Sequence, residues 1–174
     1  MIRVLLSELA DLEAEAILRS VSSDLDPDTT QSRELEVRAG SDVIERLQAM
    51  GDLPVGAAVI TPGGELDAAF LIHVVLQSPE EPVTSERVQA ALKNGLRRAE
   101  EWGMESLALP PLGTGAGNLD AQEAAAVMIP VLADHLLFSE SPREVTVAVG
   151  TEYERDVFDR AVEWSLSRLS HRDG

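Results

Sequence analysis

The stretch AAFLIHVVL, Ala68 to Leu76, admits few architectures. It has no solvated side: His73 is its only polar side chain, and a strand of this kind must be covered on both faces. GAAVITPGG, just upstream, is a second Val- and Ile-rich run, set off by the turn Pro62 to Gly64, so the two read as neighbouring strands buried on both faces. Ile2 to Leu6, Ala14 to Val21, Ser106 to Pro110 and Glu144 to Gly150 are further short apolar runs bounded by turns.

Helical patterns lie between them. Ser41 to Met50 sets Val43, Ile44, Leu47 and Met50 on one face and stops at Gly51. Ser85 to Trp102 aligns Val88, Leu92, Leu96, Ala99 and Trp102, with Glu86 at its start and Arg97 and Arg98 near its end to suit the helix dipole. A third helix opens at Asp120, with Glu123 three residues on as a reciprocal cap, and Pro130 inside it predicts a kink or break. The last runs from Tyr153 to Leu169, with Val157, Ala161 and Trp164 or Ser165 inward; both tryptophans fall at inward positions. Residues 22–36, SSDLDPDTTQSRELE, hold Asp, Pro, Ser and Thr in excess without sustained periodicity and read as a surface loop. Strands alternating with helices predict an α/β fold: a three-layer α/β/α sandwich around a central mixed sheet, as a single domain over residues 1–174.

Composition narrows the chemistry. Without cysteine there is no disulfide framework, thiolate metal site or cysteine nucleophile. With 14 basic against 31 acidic residues the net charge is −17, which repels polyanions, so no binding of free nucleic acid is expected. A small anion can still bind where backbone N–H groups supply a local positive field. The N-terminal apolar run is too short for a signal peptide, and no stretch reads as the ~18 apolar residues of a membrane span, so a cytoplasmic protein without a membrane partner is expected.

LALPPLGTGAGNLD, Leu107 to Asp120, concentrates glycine between a buried strand and a helix N-terminus. Such a turn either cradles phosphate or is a tight connection. It is not a P-loop, because the only lysine is Lys93, and a dinucleotide fingerprint is spoiled by Asn118. His73 reads as a hydrogen-bonded core histidine, and His135 and His171 show no ligand spacing, so neither metal nor cofactor is called for. Asp120 reads as a helix cap ahead of a general acid or base. Ser22 and Ser23 have no histidine placed beside them, which argues against a serine nucleophile.

LPVGAAVITPGGELDAAFLIHVV followed by SLALPPLGTGAGNLDAQEAAAVMI resembles the macrodomain family in order and spacing. The resemblance spans roughly Val4 to Trp164, and its specific part is Gly40 to Val131. It implies a three-layer module for ADP-ribose or an ADP-ribosylated macromolecule; some members, including those processing ADP-ribose 1″-phosphate, are hydrolases. Gly113, Thr114, Gly115, Ala116 and Gly117 match the family's diphosphate loop, with Asn118 where a further glycine is frequent. Glu8 and Leu9 stand where adenine is bonded, and Tyr153 stands where an aromatic packs on adenine or merely closes the helix end. Arg19 and Ser22 replace the family's asparagines, and residues 24–36 replace its first glycine-rich loop with acids that repel phosphate unless Arg33 or Arg38 turns inward. The resemblance therefore implies first a nucleotide-binding module. An ADP-ribosyl hydrolase, with Ser22 and Asp120 as its candidate catalytic residues, is the alternative, and a scaffold that binds no nucleotide is a third.

Overall fold

The computed structural model describes residues 1–171. Six strands, β1 (Ile2–Leu6), β2 (Ala16–Ser22), β3 (Ala58–Pro62), β4 (Phe70–Gln77), β5 (Ser106–Leu109) and β6 (Glu144–Val149), form one sheet in the order β1-β6-β5-β2-β4-β3. Every neighbouring pair is parallel except β3 with β4, so the sheet is mixed, as expected. β4 is buried along most of its length, whereas β3, expected to be covered on both faces, is the edge strand and half-exposed.

Side-chain alternation divides the core in two. On one face Leu18, Ile72, Val74, Leu107 and Val147 meet α3 (Ser85–Glu101), α4 (Ala121–Phe138) and Phe158 of α5 (Glu152–Ser170). On the other, Ile17, Val21, Leu71 and Val75 meet α1 (Thr30–Ala39), α2 (Ser41–Met50) and Leu9. This is the three-layer arrangement predicted above.

Four local expectations are corrected. The loop expected over residues 22–36 contains the first half of α1, capped by the Thr29 hydroxyl on Ser32 N–H. Its inward face is Ser32, Leu35, Glu36 and Ala39, too polar to register as an apolar stripe, because it packs on a buried arginine. The break allowed for at Pro130 is absent: α4 continues through it as one helix, with the buried Met128, Ile129 and Leu132 on either side of the missing N–H. By length and composition it is also apolar enough to cross a membrane, with mean hydropathy 1.3 over 18 residues; here its buried side chains pack in the core. Trp102 and Trp164 are exposed rather than inward: Trp102 lies past the end of α3, edge-on to Phe70 at 5.6 Å, and Trp164 lies under the Arg168 guanidinium at 4.8 Å.

The β3–β4 connection depends on Gly63. A Cβ there would sit 1.9 Å from the Ala68 carbonyl oxygen, a backbone atom with no room to yield. Gly63→Ala should therefore destabilise the protein by about 3 kcal/mol or more, read as a lower urea midpoint. An unchanged midpoint would mean that this turn relaxes freely.

Candidate functional site

The chain leaves β2 toward β4 on one side of the sheet and leaves β5 toward β6 on the other. Between two such strands the loops diverge and open a crevice at the strands' carboxyl ends, where ligands of α/β sheets bind. A cavity of about 460 Å³ lies there, walled by Pro27, Asp28, Thr29, Thr30, Gln31 and Arg33 from the β2–α1 segment and by Thr114, Gly115 and Ala116 from the β5–α4 loop. A second cavity, about 420 Å³, follows the carboxyl ends of β1 and β6 and is walled by Leu6, Ser7, Glu8, Leu9, Thr30, Gln31, Glu34, Ala148, Val149 and Gly150. Thr30 and Gln31, the first turn of α1, belong to both.

The glycine loop is built to leave its amides free. Asn118 N–H donates to the Gly115 carbonyl and Leu119 N–H to that of Gly113, which closes the loop on itself. No hydrogen bond among the described residues engages the N–H of Thr114, Gly115 or Ala116. Gly113 and Gly117 have φ of 78° and 80°, left-handed conformations that suit glycine, and a Cβ on Gly113 would collide with Val88 and Val83. Across the cavity the first-turn N–H groups of α1 have no carbonyl partner within the helix, and its dipole is positive there. Arg33 is the only cation lining this cavity; Arg38 instead bonds Asp11 at 2.7 Å. Where only a loop with acids was expected opposite the glycine loop, the structure places a helix N-terminus and one arginine.

The second cavity has only acids among its charged side chains. Glu8 and Glu34 are acceptors there, suited to an amino group and unsuited to phosphate. Of the residues singled out in the sequence, Glu8 and Leu9 line this cavity and Thr114, Gly115 and Ala116 line the other, while Gly113, Gly117 and Asn118 shape the loop. Ser22 lies outside both linings: its N–H donates to Asp26 and its carbonyl accepts from Leu25 in the turn after β2. Asp120 caps α4, its carboxylate accepting from Glu123 N–H at 2.8 Å while Glu123 reaches back to Asp120 N–H. Tyr153, 60% exposed on the first turn of α5, lines neither cavity. Sequence reasoning missed Asp28, Thr30 and Gln31; the Thr29-x-x-Ser32 spacing was the faint sign of a capped helix.

Beneath α1 lies a buried polar chain. Arg19, wholly buried on β2, donates to Glu36 at 2.6 Å and from Nε to His73 Nδ1 at 2.8 Å, and it also reaches the Ser32 carbonyl. Because Nδ1 accepts, the His73 proton is on Nε2, 2.9 Å from Thr61 Oγ1, whose hydroxyl donates to the Pro62 carbonyl. His73 is therefore the hydrogen-bonded core histidine expected from sequence. Alongside, Asp28 accepts from Ser20 Oγ at 2.6 Å, and burial pushes its carboxyl above the usual range against the opposing bonds of Ser20 and Gln77.

Burial, then the Arg19 charge, holds His73 well below the ordinary imidazole range. The folded protein consequently refuses a proton that the unfolded chain accepts below pH ~6.5, so this group's stability is present above that pH and lost as pH falls. Its contribution should decline by up to about 1.4 kcal/mol per pH unit. Urea titrations of wild type and His73→Gln between pH 7 and 5 should show the smaller slope in the variant; parallel slopes refute the assignment.

Comparison with known proteins agrees with this fold. The chain is 32% identical over 154 residues to an uncharacterised protein of Aeropyrum pernix, covering 87% of this chain and 80% of that one. It is 26% identical to a Macro domain-containing protein of Caldanaerobacter subterraneus subsp. tengcongensis, covering 93% of this chain and 95% of that one. Among solved structures, an Oceanobacillus iheyensis macrodomain with ADP superimposes with TM-score 0.86 at 18% identity, covering 95% of this chain and 91% of that one. A Trypanosoma brucei macrodomain in complex with ADP does so with TM-score 0.84 at 17% identity, covering 92% and 68%. The Macro domain family model matches residues 20–128, from β2 through the glycine loop into α4, and the chain accordingly belongs to the Macro domain family.

Proposed function

We propose that the paired cavities bind ADP-ribose or a closely related nucleoside diphosphate, free or attached to a macromolecule. The observation that carries this reading is the sharing of Thr30 and Gln31 by two cavities that differ in their charged walls: Arg33 accompanies Asp28 in one, and Glu8 and Glu34 stand without a cation in the other. Glu8 receives the adenine amino group in one. In the other, the amides of Thr114 to Ala116, the first turn of α1 and Arg33 surround the diphosphate. ADP-bound structures of macrodomains with this fold support the ligand class.

A binding module is favoured over a hydrolase because Ser22 lies outside the cavity walls and Asp120 is committed to its cap. ADP-ribose at about 100 times its dissociation constant should stabilise the protein by about 2.7 kcal/mol, visible as a rise in Tm. No shift at millimolar ligand refutes the reading. Ser22→Ala should leave the dissociation constant within about twofold, since nothing on its side chain meets the ligand; a large loss would put Ser22 in the site.

A further inference from the structure

We infer that Asp28 makes this cleft select diphosphates esterified at both ends over those that end in a free phosphate. The inference rests on the nucleotide reading just given and adds a specificity determinant to it. Asp28 lines the cavity assigned to the diphosphate, facing the glycine loop: its main-chain oxygen lies 3.5 Å from the place a Cβ on Gly115 would occupy. The carboxylate is not free to swing away. Oδ1 accepts from Ser20 Oγ at 2.6 Å, and Oδ2 stands 3.5 Å from Gln77 Nε2.

An acidic side chain in an anion cavity is unfavourable unless it discriminates between anions. A doubly esterified diphosphate carries one negative charge on each phosphorus, whereas a free terminal phosphate takes a second charge above its second pKa, near ~6. Arg33 is the single cation on the cavity wall, and behind Asp28 the charges of Arg19 and Glu36 cancel as a pair. Backbone amides and Arg33 therefore suffice for two single charges, and the extra charge of a terminal phosphate meets Asp28 with no added cation. Like charges in a partly desolvated cavity repel strongly enough to give about a tenfold preference.

Calorimetry in EDTA at pH 8 tests this with ADP-ribose, ADP and the β-methyl ester of ADP. The ester differs from ADP in the terminal charge and one methyl group, and it lacks the distal ribose. Wild type should bind the ester about tenfold more tightly than ADP, and Asp28→Asn, which keeps an acceptor for Ser20, should bring the two within about twofold. Asp42→Asn removes the same charge from α2 and should leave the preference at about tenfold, which separates local repulsion from net charge. Equal binding of ADP and its ester by wild type, or a preference that survives Asp28→Asn, overturns the inference while the nucleotide reading stands. Failure of all three ligands to bind overturns both.

Discussion

Gly115→Glu should abolish the proposed ADP-ribose binding, with a loss of about 100-fold or more in affinity, and leave the fold intact. Gly115 is a site where binding and folding separate. Its φ lies outside the left-handed range, unlike those of Gly113 and Gly117, so a side chain adds no backbone strain. A Cβ there would approach Asn118 Nδ2 at 3.2 Å, the far end of a side chain that can shift, and the Asp28 carbonyl at an ordinary 3.5 Å. Glutamate would then extend into the cavity and set a carboxylate against the diphosphate, a repulsion of several kcal/mol in a partly desolvated site. Gly115→Ala, by contrast, should change stability by less than about 1 kcal/mol. Calorimetry for affinity and urea melts for stability check the pair; an ADP-ribose dissociation constant unchanged in Gly115→Glu would remove the glycine loop from the site.

Arg19→Met should destabilise the protein by about 3–5 kcal/mol, the range for removing one partner of a buried ion pair. The side chain is wholly buried on β2, and its loss leaves Glu36 facing an apolar floor and His73 Nδ1 without a donor. Desolvation lowers the pKa of this arginine and Glu36 raises it again, which shows how far the guanidinium depends on that partner. One of its nitrogens, Nη2, is buried with no hydrogen-bond partner, so the arrangement is far from optimal. The double variant Arg19→Met, Glu36→Leu should therefore recover most of the loss, since apolar replacement of a whole buried pair is often neutral or stabilising. ADP-ribose affinity should fall with Arg19→Met as well, because Arg19 docks the helix whose first turn serves both cavities. Equal stability of wild type and Arg19→Met would show the pair to be idle.

What the sequence disclosed and what it hid follow one physical division. β2, β4, β5 and β6 are covered on both faces, so their runs are mostly apolar and visible despite single buried polar residues such as Arg19 and His73. The Asp120–Glu123 capping box and the glycine loop are local, so their residues announce them without tertiary help. α1 depends on a partner far away in sequence: Ser32 and Glu36 make an inward face only because Arg19 lies beneath them, and no window of the chain contains both sides. The same blindness left the opposite cavity wall unread, because that wall is the N-terminus of α1. Trp164 failed for another reason: α5 buries only Phe158 fully, so helical spacing on it does not specify burial.

On the reading proposed above, two cavities that share Thr30 and Gln31 would make the cleft a bivalent receptor for a single small molecule. Once one half of a nucleotide is seated, the other is confined near its own half-site at an effective concentration on the order of millimolar or higher, and that factor multiplies the affinity of the whole. Adenosine alone and pyrophosphate alone each forgo it. Discrimination among nucleotides consequently resides partly in reach: a ligand too short to round the first turn of α1 engages one half only, whatever the quality of its individual contacts.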